Sequence, residues 1–216
     1  NPQPLVRLGN LFYQNKADIL SARLSFKKAA HLAPSDIRIW ARYIELLIQC
    51  YEWEEANRAL VKLRSLPVPQ SSVDKALADW YAKQGRHTEA QQTYKKALSH
   101  EYIDPSVYAA YGKSLLETKS YDQAPFVFAL ALRNDPNNMD AIVGTARAIQ
   151  GGEGIDRAIA YLRDEMQKGG TTRAELLCAI ADLLIQKGAW EEAASFIDQA
   201  KGASPNLALP YKHQAQ

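Results

Sequence analysis

Six alanines stand at near-constant spacing along the chain: Ala22, Ala56, Ala90, Ala124, Ala158 and Ala193, with steps of 34, 34, 34, 34 and 35 residues. Four positions after each comes a larger apolar or aromatic residue: Phe26, Leu60, Tyr94, Phe128, Leu162 and Ile197. Three positions before each come Ile19, Trp53, His87, Tyr121, Ile155 and, for the last, Trp190. Residues three and four apart share one face of an α-helix. Recurrence of that face near every 34 residues marks a repeated helical unit, which buries its apolar side only against its neighbours. This feature constrains the fold more than any other: it predicts an all-α stack of helical hairpins in place of a closed core.

The clearest unit is residues 106–136, SVYAAYGKSLLETKSYDQAPFVFALALRNDP. Its first half carries Val107, Tyr108, Tyr111, Leu115 and Leu116 at helical spacing, and its second half Ala124, Phe128, Ala131 and Leu132. Gly112 and Ala124 are small where two helices of a hairpin would cross closely. Asp135-Pro136 stops the second helix, because proline lacks an N–H and disfavours helix at the residue before it. Pro125 costs little if it lies in the first turn of its helix, and kinks the helix if it lies deeper.

These residues resemble the tetratricopeptide repeat (TPR) pattern: an aromatic, Leu-Gly and Tyr in helix A, then Ala, an aromatic, Ala and a closing Pro in helix B. Tyr108, Tyr111-Gly112, Leu115, Tyr121, Ala124, Phe128, Ala131 and Pro136 carry it most fully. The resemblance implies a right-handed superhelical α-solenoid of about six helix-turn-helix repeats over residues 3–205, with repeats at about 3–34, 36–69, 71–105, 106–138, 139–170 and 174–205. Leu207, Leu209 and Tyr211 are read as the start of an incomplete capping helix in 206–216, so the natural protein is expected to continue. The turn of repeat 1, Gln14-Asn15-Lys16, is one residue long for the pattern. Pro67-Val68-Pro69 gives repeat 2 a rigid exit. The stretched end of repeat 3, 99–105, predicts a second helix longer by a turn. Glycines at 151, 152, 154, 169 and 170 predict interruption, looser packing and a hinge in repeat 5.

The net charge of +2 gives no general electrostatic case for nucleic acid or an anionic membrane. No apolar run reaches membrane-spanning length. The chain reads as soluble, in a cytoplasm or a bacterial periplasm. Cys50 and Cys178 fall in repeats 2 and 6, too far apart for a disulfide within one chain, and read as buried, inert thiols. No HExxH, CxxC or glycine-rich phosphate loop is present, so the sequence calls for no cofactor, metal or catalytic role. His87 reads as a packing residue in the slot of Trp53, Tyr121 and Trp190. Lys27-Lys28 and Lys95-Lys96 read as outward and solvated.

In the TPR family the helix A faces line a concave groove for peptides or partner helices. Carried onto this chain, the groove residues are Arg7 and Asn10, then Arg38, Arg42 and Glu45, then Lys75, Asp79 and Lys83, then Lys113, Arg147 and Asp182. Basic residues outnumber acidic ones in repeats 1–3 and the balance reverses in repeats 4–6. Arg38, Arg42, Lys75 and Lys83 are therefore the expected contact with an acidic segment of another protein. Ala41, Ala76, Ala109, Ala110, Gly144 and Ala179 would leave room for a ligand backbone. The set Lys, Asn, Asn, Lys, Arg that clamps chaperone tails is matched only at Asn10. Trp40–Glu45 is similar to the half-a-TPR motif of RNA-processing complexes, but in one repeat only. The implied function is a protein-interaction scaffold or assembly adaptor. The alternatives are the regulatory or substrate-presenting arm of an enzyme whose catalytic domain lies elsewhere, and a self-associating structural module.

Overall fold

A computed structural model describes residues 1–14, 18–168 and 174–203. Among them are twelve α-helices and no strand. The chain divides into two compact units, Asn1–Ala110 and Tyr111–Gln216. The turn expected at 14–16, Gly169-Gly170, Pro205 and the capping segment 206–216 lie wholly or largely outside the described residues.

The first unit contains α1 (Gln3–Gln14), α2 (Ile19–Leu32), α3 (Ile37–Gln49), α4 (Trp53–Arg64), α5 (Gln70–Lys83), α6 (His87–Ala97) and the first turn of α7 (Ser106–Glu117). From α1 to α6 each helix packs on its chain neighbour, and α3 also meets α5, as stacked hairpins require. The ladder is the seam: Ala22, Ala56 and Ala90 are fully buried, and Phe26, Leu60 and Tyr94 stand beside them. Asp18 and Asp36 start α2 and α3 by accepting from the N–H groups of Ser21 and Arg38 at 2.9 and 3.1 Å. Across the seam, Glu55 at the start of α4 accepts from Lys27 of α2 and Tyr43 of α3, both at 2.6 Å. Lys27 is thus tied to α4, with 45% of its side chain still exposed.

The second unit holds the rest of α7, then α8 (Ala124–Asn134), α9 (Met139–Glu153), α10 (Ile155–Lys168), α11 (Ala174–Lys187) and α12 (Trp190–Ala203). Here Phe128 is the central side chain, with none of its surface exposed. Its ring lies against two glycines: a Cβ on Gly112 would stand 2.5 Å from Phe128 Cε1, and one on Gly144 2.6 Å from the same atom. Gly144 therefore leaves no room for a ligand backbone; the Phe128 ring takes that space. Gly151 meets the Tyr121 ring in the same way. Those contacts explain why α9 runs unbroken through Gly151-Gly152 and ends only at Gly154, contrary to the interruption expected in repeat 5.

Pro125 falls in the first turn of α8, where its missing N–H costs nothing. The helix starts later in its repeat than α4, α6, α10 and α12, which begin at ladder positions Trp53, His87, Ile155 and Trp190. Trp190 departs from the packing slot: it is 62% exposed. The extra turn expected for α6 is absent, because α6 stops at Ala97. Beyond it, His100 Nε2 lies 2.8 Å from the carboxylate of Asp74, a residue 2% exposed, which draws the chain back onto α5.

Four hairpin turns share one backbone device. Tyr51, Gly85, Lys119 and Gly188 have φ of 58°, 75°, 58° and 84°. The N–H of the following residue (Glu52, Arg86, Ser120 or Ala189) reaches back five residues to a helix carbonyl, at 2.9–3.0 Å. This is the Schellman closure, in which a left-handed residue ends the helix. In the fifth hairpin the corresponding Glu153 stays helical, and Gly154 turns the chain with φ 102° and ψ 168°.

Candidate functional site

The polar positions predicted from helix A sort into separate groups. Three come together in one cleft of about 300 Å³: Asn10 from α1 with Arg38 and Arg42 from α3. Gln3 and the Asp36 cap share its wall, and Val6, Phe26 and Ile39 give it apolar lining. Arg38 and Arg42 are four apart, one turn of helix, so both guanidinium groups reach the same opening. Arg7 is exposed on α1 but is not part of this lining.

Each arginine is already held by a carboxylate. Asp36 accepts from Arg38 Nε at 3.2 Å and from Nη2 at 3.1 Å. Those bonds hold the Asp36 carboxyl below its ordinary range and raise the Arg38 guanidinium. Arg42 Nη1 donates to Glu45 at 2.7 Å, and the Arg42 guanidinium lies 5.0 Å from the centre of the Tyr13 ring. Gln49 Nε2 donates to the Tyr13 hydroxyl at 3.3 Å, fixing the ring on which Arg42 stacks. Arg38 nonetheless keeps 85% of its side chain exposed.

On α5, Lys75 Nζ donates to Asp79 at 2.8 Å, and the Tyr94 hydroxyl of α6 donates to the other Asp79 oxygen. Burial works against the Lys75 charge, but Asp79, Asp104 and Glu45 outweigh it and raise its pKa. Burial, together with Asp79, raises the Tyr94 phenol far above its ordinary value. Asp104 is pushed up by burial, yet bonds from Ser106 and Ser72 and the Lys75 charge bring it below the usual carboxylate range. The basic surplus expected at this end is therefore largely neutralised. Two of the neutralising carboxylates, Asp36 and Asp104, sit at or just before helix starts, where a count along helix A faces does not find them.

Lys83 lies elsewhere. It lines a second cleft, of about 500 Å³, with Trp53, Glu54, Asn57, Trp80 and Gln84. In the second unit Lys113 pairs with Asp140 at 2.7 Å, while Arg147 and Asp182 are exposed on α9 and α11.

A network that sequence reasoning missed surrounds Asp74: Lys96 Nζ donates at 3.1 Å, His100 Nε2 lies at 2.8 Å and Arg64 at 3.8 Å. Its only sequence signal is a carboxylate at an α5 position held by Trp40 and Tyr108 in other repeats. Among the described residues no group of His, Cys, Asp and Glu could hold a metal ion, and no helix is long and apolar enough to cross a membrane. Both cysteines are free, and burial raises the Cys178 thiol.

No curated protein sequence matches the chain. Solved structures match its fold along most of its length. PilW, described as a widely conserved type IV pilus biogenesis factor, aligns with a TM-score of 0.67 at 14% identity, covering 95% of this chain and 94% of that one. A tetratricopeptide repeat protein from Parabacteroides merdae aligns at 0.62 and 17% identity, covering 94% and 80%. PilF of Pseudomonas aeruginosa aligns at 0.60 and 22% identity, covering 95% and 92%. At these identities the likeness is one of fold. Residues 75–138 match the family model described as Tetratricopeptide repeat. The matched segment is thus a tetratricopeptide repeat segment, and the ladder, in register from Ala22 to Ala193, carries the same spacing and the same hairpins on both sides of it.

Proposed function

We propose that this chain is a protein-interaction scaffold, and that a segment of its partner lies along the helix A faces of the first unit. The α1–α3 cleft carries the reading: Asn10, Arg38 and Arg42 stand at an opening lined below by Val6, Phe26 and Ile39. Polar donors beside an apolar lining suit an acidic side chain next to an apolar one. Glu45, Lys75 and Asp79 extend the contact along α3 and α5. An acidic partner group exchanges with Asp36 or Glu45 for the arginines, which ties binding to ionic strength. Lys113, Arg147 and Asp182 are a separate contact set on the second unit. Among proteins of this fold, YrrB is described as having an unusual peptide-binding site, and Cut9 as forming a hetero-tetramer with Hcn1. Those descriptions are consistent with an interaction role here.

The test is affinity capture from the source organism, with the chain beside its Arg38→Glu/Arg42→Glu variant, the two matched by circular dichroism. A partner held by the first and lost from the second supports the cleft. A partner held equally by both places the binding on another face.

A further inference from the structure

The cleft around Trp53 and Trp80 has no part in the reading above. It lies between the start of α4 and the end of α5, entirely within the first unit, and its 500 Å³ is in the range of ligand sites. Two indoles, both half-buried, line it. Around them the polar chemistry is one-sided. Trp80 Nε1 and Gln84 Nε2 are buried nitrogens with no hydrogen-bond partner in the protein. Lys83 and Asn57 are exposed on the rim and make no ion pair or hydrogen bond among the described residues. Several cations of this unit, among them Arg23, Lys27, Arg38, Arg42, Lys75 and Lys96, are paired; Lys83 shares its lack of a partner among the described residues with others such as Lys28 and Lys62 and is set apart by its place beside the two indoles. Glu54 is the one carboxylate in the lining.

We infer that this cleft binds a proline-rich segment of a partner protein that carries an acidic residue beside its prolines. A proline segment in the polyproline II form presents carbonyl oxygens and no N–H, so it offers acceptors to a lining rich in unanswered donors. Its rings pack against indole faces, and its preformed shape lowers the entropy cost of binding. Lys83 supplies the charge for the acidic residue. For the Trp80 N–H and the Gln84 amide to take up proline carbonyls, their side chains turn these buried nitrogens toward the segment.

The two tryptophans supply their own readout. The chain is titrated with acetyl-hexaproline amide and with acetyl-pentaprolyl-aspartate amide while tryptophan emission is followed. A saturable change with both probes is expected, tighter for the aspartate probe by roughly fivefold, the worth of a partly exposed ion pair. Trp53→Phe and Trp80→Phe should each remove part of the response, whereas Trp190→Phe leaves it intact. Lys83→Gln, a surface change that leaves the fold alone, should erase the preference between probes. No saturable change at millimolar probe overturns the inference. So does binding of either probe, followed by isothermal titration calorimetry, that survives in the Trp53→Phe/Trp80→Phe double variant. A preference unchanged in Lys83→Gln refutes the acidic requirement. None of these outcomes bears on the Arg38–Arg42 cleft, which shares no lining residue with this one and carries its own variant.

Discussion

The Phe128 ring between two glycines makes a quantitative claim. Replacing Gly144 by alanine in a helix interior should by itself stabilise α9 by about 1 kcal/mol, since alanine restricts the unfolded chain and favours helix. Here the new Cβ would stand 2.6 Å from Phe128 Cε1 and 2.7 Å from Cε2, far inside contact distance. Room for the ring to retreat is limited, because Gly112 on α7 meets the same ring, with Cε1 only 2.5 Å from where a Cβ would be. Overpacking of this kind costs ~1–3 kcal/mol and outweighs the helix gain. Gly144→Ala should therefore destabilise the protein by about 1–2 kcal/mol. Phe128→Leu removes the ring atoms that the methyl would meet, at a cavity cost on the order of 1–2 kcal/mol. In that background Gly144→Ala should become neutral or stabilising by up to ~1 kcal/mol. The cycle of four proteins, followed by urea denaturation and far-ultraviolet circular dichroism, should give a coupling of about 2 kcal/mol. Effects that add within about 0.5 kcal/mol would show that ring and glycine do not compete for the same space.

Three further outcomes follow from the same geometry. Lys119→Gly should raise stability by about 0.5–1 kcal/mol, because a non-glycine residue at φ 58° bears a left-handed penalty that Gly85 and Gly188 avoid; an unchanged or lower denaturation midpoint would contradict it. Ala124→Leu, at a fully buried ladder position, should cost ~1–3 kcal/mol, and an unchanged melting temperature would mean that the seam is not where the ladder places it. Bonds from Lys27 and Tyr43 hold Glu55 below the ordinary carboxylate range. Its contribution is therefore present above the unfolded-state value of about 4.3 and is lost as pH falls through the lower folded-state value. Glu55→Gln should flatten the fall in stability below about pH 4, and an acid profile identical to that of the parent chain would refute the link.

The buried framework was legible because it repeats. Ala22, Ala56, Ala90, Ala124 and Ala158 are each fully buried and Ala193 nearly so, and five of the helix B starts (α2, α4, α6, α10 and α12) coincide with the third rung of the ladder. Departures occur where one residue's surroundings differ from those of its counterparts. Trp190 occupies a packing rung yet is largely exposed. Gly144 reads as groove space until Phe128 is placed against it. Gly151-Gly152 reads as a break until Tyr121 is seen to require Gly151. The site was less legible. Helix faces could be counted from the sequence, but Asp36, which pairs with Arg38, and Asp104, whose charge adds to that of Asp79 on Lys75, lie outside the helix A periodicity. Lys83 shares a helix face with Lys75 on paper and a tryptophan cleft in space, because the end of α5 lies against the start of α4.

The fifth hairpin shows where this architecture tolerates a shift of a helix end. There the helix is carried one residue further and the left-handed turn moves from the position of Glu153 to Gly154, yet Ala158 stays fully buried on its rung. The turn thus absorbs a one-residue shift of the helix end, whereas a residue inserted inside α8 would rotate Phe128 by about 100° out of its slot between the glycines. Insertions, tags or loop grafts placed at the Lys119 or Gly154 turns should leave the stack standing, and the same additions within a helix should dismantle it.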